Sequence, residues 1–124
     1  MATAAAFATV AEIPNPETLV GRARAMLPSL RSRSEAATRE RRIPAETIRE
    51  MQDAGFFRVL QPKRWGGYEM DPQVFFDIQM TLAEGCMSTA WLYGVVGVHP
   101  FQLALFDDNA QRDVCDAQGI SLCN

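Results

Sequence analysis

The sequence predicts an all-α protein, and two kinds of observation lead to this fold class. Apolar residues recur at spacings of three and four in several segments, and capping residues or prolines stand where those segments begin. Turns rich in glycine and proline separate the segments. The predicted helices cover residues 16–42, with a break at Pro28, and residues 44–54, 71–84, 88–99 and 107–117.

The first two predicted helices each carry an apolar side. In the first, this side consists of Leu19, Val20, Ala23, Met26, Leu27 and Leu30. Proline removes a backbone donor and clashes with the preceding turn, so we expect the helix to kink or break at Pro28. Pro44 opens the second helix, and Gly55 supplies its C-terminal cap. Its inner side consists of Ala45, Ile48 and Met51.

A turn that no helix can cross follows at residues 61–68, with the sequence QPKRWGGY. Pro62 fixes its own φ, and the glycine pair permits positive φ. Beyond the turn, Asp71 is a helix cap and Pro72 occupies the first helical position. The helix that begins here has a single narrow polar stripe, so we expect it to be buried on most sides.

The predicted helix at 88–99 carries three small residues in line, Ala90, Gly94 and Gly97. We expect Pro100 to end this helix. A face of small side chains admits either a second helix or a flat ligand, and each interior glycine otherwise costs about 1 kcal/mol relative to alanine. The residues alone leave both interpretations open.

Length and composition describe one globular domain. The chain has 124 residues, of which 48% are apolar and 22% charged, and its net charge is −3. Three cysteines at irregular spacings fit neither a disulfide framework nor a metal site, so we expect no metal and a cytoplasmic location. The sequence has no membrane-spanning run and no basic export signal at its start.

The charge is distributed unevenly along the chain. Residues 1–64 hold eleven of the twelve basic side chains and seven acids, whereas residues 65–124 hold one basic and eight acidic side chains. A basic half is compatible with nucleic-acid binding, but its arginines are interleaved with acids and lack aromatic neighbours. We therefore interpret them as a solvated helix face and expect no nucleic-acid or membrane partner.

The order of motifs in the second half resembles a known family. Five motifs follow one another: DAGFFRVLQPKRWGG, an acidic residue with proline, an apolar helix that ends in AEG, then STAW, and finally GVHP. This order is similar to the N-terminal helical domain of the acyl-CoA dehydrogenase superfamily. Within it, they resemble the oxygenase components of two-component flavin-dependent aromatic hydroxylases of the secosteroid and 4-hydroxyphenylacetate type. The resemblance covers about residues 44–114.

This resemblance implies a domain organisation. Residues 1–15 are expected to be a disordered N-terminal segment, residues 16–119 the helical bundle, and residues 120–124 the start of a β domain. In the superfamily a middle β domain and a C-terminal helical bundle follow, and they hold most of the flavin and the catalytic residues. We therefore expect no catalytic residue in this chain, no tightly held flavin and no activity of the chain alone.

Three functions from different classes remain open. The resemblance favours the helical part of a flavin monooxygenase, in which reduced flavin (FADH₂ or FMNH₂) from a separate reductase supports hydroxylation of a phenol. The second is an acyl-CoA dehydrogenase that oxidises a thioester with FAD, and the third is a non-catalytic helical interaction module. For the full-length hydroxylase, the resemblance also implies a homo-oligomer, a tetramer.

Two residues are candidate substrate contacts, Trp91 and His99. From the sequence alone, a single histidine on an apolar helix side is typical of a group that satisfies a neighbouring backbone atom. The resemblance implies a second role, because in the hydroxylases the end of this helix borders the phenol pocket. Trp91 would then form an aromatic wall, and His99 would hydrogen-bond the substrate.

Overall fold

A computed structural model describes residues 12–117 of the chain. These residues form five α-helices and two short 3-10 turns, which confirms the all-α fold class. The predicted strand start at 120–124 and most of the predicted N-terminal segment lie outside the described residues. The helices are α1 (Pro16–Glu40), α2 (Ala45–Asp53), α3 (Pro72–Gly85), α4 (Met87–Leu103) and α5 (Asp108–Ala117), with 3-10 turns at Phe56–Arg58 and Lys63–Trp65.

Helix α1 is the long element on which the core is assembled. The Oδ1 atom of Asn15 accepts a hydrogen bond of 2.8 Å from the backbone N–H of Thr18, and Pro16 opens the first turn. Its buried side, formed by Leu19, Ala23, Met26, Leu30 and Ala37, packs mainly on α3. The apolar stripe predicted for this helix is therefore the side that faces the core.

The predicted break at Pro28 is wrong, because α1 runs without interruption through this residue. Pro28 is exposed and so is Arg24, whose carbonyl loses its donor four residues later. On this side of the helix, water can satisfy that carbonyl. A proline on the solvent side therefore leaves the helix intact where a buried one would need another donor.

Helix α2 is held against α1 by arginine side chains. The Arg33 guanidinium donates two hydrogen bonds, of 2.9 and 3.0 Å, to the carboxylate of Glu50, and it lies 2.9 Å from Glu46. The hydrogen bond to Glu50 is the main cause that raises the pKa of Arg33. Arg22 donates to the carbonyl of Ala54 at 2.9 Å. Part of the basic face predicted to be solvated therefore joins two helices.

The inner side of α2 differs by one residue from the prediction. Met51 is buried and Ile48 half-buried, as expected, but Ala45 is exposed and Thr47 is buried. Gly55 follows the helix with φ +83°, which agrees with its predicted role as cap.

The turn at residues 61–68 uses its two glycines for different reasons. Gly66 has φ +86°, a conformation that favours glycine. At Gly67, a Cβ atom would overlap the backbone carbonyl of Gln61, so this position needs the smallest residue. The chain then returns alongside itself, and the N–H of Met70 donates to the carbonyl of Val59 at 2.9 Å.

Helix α3 begins as predicted, with Asp71 Oδ1 accepting from the N–H of Gln73 at 2.8 Å. Its environment differs from the prediction. Phe76 and Met80 are exposed, whereas Thr81 is buried and its hydroxyl donates to the carbonyl of Asp77 at 2.8 Å. Because Phe76 and Met80 are exposed, the expectation of a helix buried on most sides was wrong. Thr81 can enter the core because its hydroxyl bonds its own helix.

Helix α4 does not end before Pro100 but continues to Leu103. Pro100 is buried and lines a small cavity together with Pro62 and Trp65. The indole N–H of Trp65 in turn donates to Gln111 of α5 at 3.2 Å. Packing against the turn keeps Pro100 inside the helix, and Trp65 connects that turn to α5.

We predict that Arg33→Ala lowers the free energy of unfolding by about 1 kcal/mol, because a paired hydrogen bond to a partly buried carboxylate is lost. Arg33→Lys should recover only part of this loss, since an ammonium cannot bond both oxygens in the same geometry. Urea unfolding measures the change, and Arg24→Ala, at an exposed site on the same helix, is the control. Equal losses for Arg33→Ala and Arg24→Ala would contradict the prediction.

Candidate functional site

The inner side of α4 is fixed by Tyr93. This residue is fully buried, and its hydroxyl donates to the backbone carbonyl of Phe56 at 3.1 Å. Its ring lies against those of Phe56 and Phe75, with centroid distances of 6.0 and 4.8 Å. Burial raises the pKa of Tyr93, so its hydroxyl keeps its proton at neutral pH and remains a donor.

The three small residues of α4 pack against α3. The side-chain amide of Gln79 donates to the carbonyl of Ala90 at 3.2 Å, and it occupies the space that a Cβ of Gly94 would need. A Cβ at Gly97 would lie 2.8 Å from the ring of Phe75. The structure therefore shows the helix packing that the sequence offered as one interpretation, and Gly94 also lines a groove that leaves the second interpretation open.

The outer side of α4 forms one wall of an apolar groove with α3. This α3–α4 groove has a volume of about 390 Å³, and none of its lining side chains is ionisable. Trp91 is 69% exposed and stands at its edge. The lining residues are Leu60, Pro72, Phe75, Phe76, Gln79, Trp91, Gly94, Val95, Val98 and Phe101.

A second groove lies on the other side of Trp91, between α1 and α4. This α1–α4 groove has a volume of about 640 Å³ and combines apolar side chains with two arginines. Its lining residues are Ala37, Thr38, Arg41, Arg42, Ile43, Met87, Ser88, Trp91 and Leu92. Trp91 lines both grooves, which makes it the side chain shared by both candidate sites.

His99 is exposed on α4 but lines neither groove. Its Nδ1 atom lies 3.3 Å from the carbonyl oxygen of Val96. Eight residues separate it from Trp91, which corresponds to about 12 Å along the helix and about 80° around it. The structure thus places both predicted site residues on the outer side of α4 without bringing them together.

Of the residues that line the α3–α4 groove, only Trp91 was predicted as a site residue, and Phe76 and Gln79 are two of those that were not. Both belong to α3, and the pattern of that helix assigned Phe76 to the core. Gln79 is the polar side chain of the α3–α4 groove, and its orientation is set by the bond to Ala90. The sequence feature that corresponds to Gln79 is Gly94, since the Gln79 amide occupies the space of a Cβ there. The two residues can be paired only when the crossing of α3 and α4 is known.

The described part of the chain also bears on metal binding and on membrane insertion. Within residues 12–117, no group of three or more His, Cys, Asp or Glu side chains is placed to hold a metal ion. Cys86 and Cys115 are buried. No helix in the same range is long and apolar enough to cross a membrane.

Residues 20–114 match the model of the acyl-CoA dehydrogenase N-terminal domain. The chain belongs to this family. The match covers all of α2, α3 and α4 and most of α1 and α5, so the helical domain described above is the family's N-terminal domain.

Within this family, the chain is similar to oxygenase components of flavin-dependent enzymes. It is 46% identical over 90 residues to a flavin-dependent monooxygenase, oxygenase subunit HsaA, from Rhodococcus jostii, covering 73% of this chain and 24% of that protein. It is 35% identical over 89 residues to the oxygenase component of p-hydroxyphenylacetate 3-hydroxylase from Acinetobacter baumannii, covering 72% of this chain and 21% of that one.

The fold also matches a solved structure of this group. The crystal structure of the HsaA monooxygenase from M. tuberculosis superposes with a TM-score of 0.80 at 40% identity. The superposition covers 86% of this chain and 29% of that chain. The chain therefore spans about a quarter of the length of the curated relatives it matches.

We predict that Gly94→Ala destabilises the protein by about 1–2 kcal/mol, because the added methyl group displaces the Gln79 amide and breaks its bond to Ala90. Gly21→Ala is the matched control, since Gly21 is also inside a helix but its Cβ would meet nothing within 4 Å. There alanine should stabilise by about 0.5–1 kcal/mol through helix propensity. Stabilisation by both substitutions, measured by urea unfolding, would show that α3 and α4 do not pack as described.

Proposed function

We propose that this chain forms the N-terminal helical part of the oxygenase component of a two-component flavin-dependent monooxygenase that hydroxylates a phenolic substrate. The similarity to HsaA-type oxygenase subunits carries this proposal. The family also includes dehydrogenases acting on acyl-CoA, but the relatives reported above are hydroxylase components. A separate flavin reductase is the partner that this assignment requires.

The α3–α4 groove fits a flat ring and does not fit the phosphates of a flavin. Its walls are aromatic and aliphatic, and no lining side chain carries a positive charge. Phosphate groups in proteins are usually held by cations or by helix N-termini. When bound in the complete oxygenase, reduced flavin supplies the electrons that activate oxygen, and we assign its phosphates to residues outside this groove.

The part we assign to Trp91 is to form a wall for the aromatic ring of the substrate. An indole that is 69% exposed has a face free for stacking, which adds about 0.5–1.5 kcal/mol beyond simple burial. The surrounding apolar side chains exclude water from the ring. Orientation of a phenol beside the flavin is therefore the contribution we propose for this helical domain.

We assign to His99 a hydrogen bond with the substrate hydroxyl. Its ring is exposed, and its Nε2 atom points away from the Nδ1 contact with Val96. Because about 12 Å of helix separates His99 from Trp91, a single phenol ring does not contact both residues, and each needs its own test.

The direct experiment is a chimera in which residues 20–114 replace the matching segment of M. tuberculosis HsaA. Supplied with reduced flavin by a reductase, the chimera should form hydroxylated product. Trp91→Ala and His99→Ala should each weaken substrate binding about 5- to 10-fold, equivalent to about 1–1.4 kcal/mol, and leave the flavin Kd unchanged. Gln102→Ala, at an exposed site on the same helix, is the control.

Each outcome has a distinct meaning. A folded chimera that binds flavin but forms no product would contradict the proposed function. Unchanged substrate Kd and unchanged coupling of oxygen use to product in folded His99→Ala would return His99 to a purely structural role. Unchanged substrate Kd and unchanged coupling in folded Trp91→Ala would contradict the proposed role of Trp91 as a wall for the substrate ring.

A further inference from the structure

The side-chain amide of Gln79 is held in one orientation at the wall of the α3–α4 groove. Its Nε2 atom donates to the carbonyl of Ala90 at 3.2 Å. A carbonyl oxygen only accepts hydrogen bonds, so the nitrogen of the amide must be the atom that faces it. Because the amide group is planar, the bond that fixes the nitrogen also fixes the direction of the Oε1 atom.

The Oε1 atom of Gln79 is an acceptor that a ligand can reach. Within residues 12–117, no donor bonds this oxygen. No buried side-chain nitrogen or oxygen in the same range lacks a hydrogen-bond partner, so Oε1 must be accessible to solvent. Gln79 is half-buried and lines the groove. The groove therefore contains one oriented acceptor that is open to a ligand.

The other side chains of the groove make this acceptor selective. Among the side chains that line it, Gln79 carries the single oxygen, and the indole N–H of Trp91 is only a donor. A hydroxyl that leaves water for the groove recovers a hydrogen bond by donating to Oε1. An ether or carbonyl oxygen in the same place would meet a second acceptor, and both oxygens would lose their bonds to water without replacement.

We propose that Gln79 determines the specificity of the α3–α4 groove for aromatic rings that carry a hydroxyl or N–H group. The ring packs against Trp91 and the apolar walls, and its hydroxyl donates to Gln79 Oε1. His99 lines neither groove, so His99→Ala and the Gln79 variants test two different positions of the substrate hydroxyl. That the ring is the hydroxylase substrate rests on the proposed function, whereas the selectivity for donors rests on the groove alone.

The test compares two probes that differ in one hydrogen-bond donor, para-cresol and its methyl ether, with the complete chain. Changes in the ¹H–¹⁵N signals of α3 and α4 measure binding to the groove. The wild type should bind para-cresol about 3- to 10-fold more tightly than the ether. Gln79→Leu removes the acceptor, and the ratio of the two affinities should fall to about one or below. Loss of the bond to Ala90 in this variant affects both probes alike and cancels in the ratio.

Gln73→Leu is the matched control. Gln73 is an exposed glutamine of the same helix, its amide donates to Asp77 at 2.9 Å, and it does not line the groove. The ratio should therefore equal that of the wild type. Gln79→Glu keeps an acceptor oxygen and should retain or increase the preference for para-cresol, so it tests the role of the oxygen even if Gln79→Leu does not fold.

The proposal would be overturned by a wild type that binds both probes equally or does not bind para-cresol. An unchanged ratio in folded Gln79→Leu, or a lost preference in folded Gln79→Glu, would also overturn it. These results are separate from those of the chimera. A chimera that forms no product while the groove selects para-cresol would contradict the proposed function and leave this inference intact, and a productive chimera with an unselective groove would do the reverse.

Discussion

The hydroxyl of Tyr93 is the constraint on which the arrangement of this domain depends. A buried hydroxyl without a partner costs about 1–3 kcal/mol, and the carbonyl of Phe56 is the acceptor that removes this cost. That carbonyl is available because Gly55, with φ +83°, ends α2 and starts a 3-10 turn. The bond therefore joins α4 to the end of α2 and sets the rotation of α4 about its own axis.

Once this rotation is set, the two faces of α4 have different uses. The side of Ala90, Gly94 and Gly97 meets α3 closely, and the adjacent exposed side carries Trp91, which lines both grooves. The apolar character of the α3–α4 groove suits an aromatic ring, which the proposed function requires. In the proposed function, the packing of the core thus determines the position of Trp91, the residue proposed to contact the substrate ring.

The sequence was sufficient for features that depend on neighbouring residues. The caps at Asp71 and Gly55 and the start of α3 agree with the prediction because each involves contacts within a few positions. The two prolines were misjudged, since whether a helix continues through a proline depends on its surroundings: solvent at Pro28, and packing against the turn with Pro62 and Trp65 at Pro100. Phe76 and Gln79 were missed as groove residues because their exposure depends on how α3 crosses α4. Trp91 was predicted as a site residue through resemblance, which carries information that periodicity does not.

The most direct measurement of the central claim is the stability of Tyr93→Phe compared with Tyr68→Phe. Both changes delete one phenolic oxygen, but of these two tyrosines it is Tyr93 whose hydroxyl donates to a backbone carbonyl, at 3.1 Å, in the described residues. Urea unfolding should show a loss of about 1–2 kcal/mol for Tyr93→Phe and a change within about 0.5 kcal/mol for Tyr68→Phe. Equal effects of the two substitutions would show that the rotation of α4 is set by something other than this hydrogen bond.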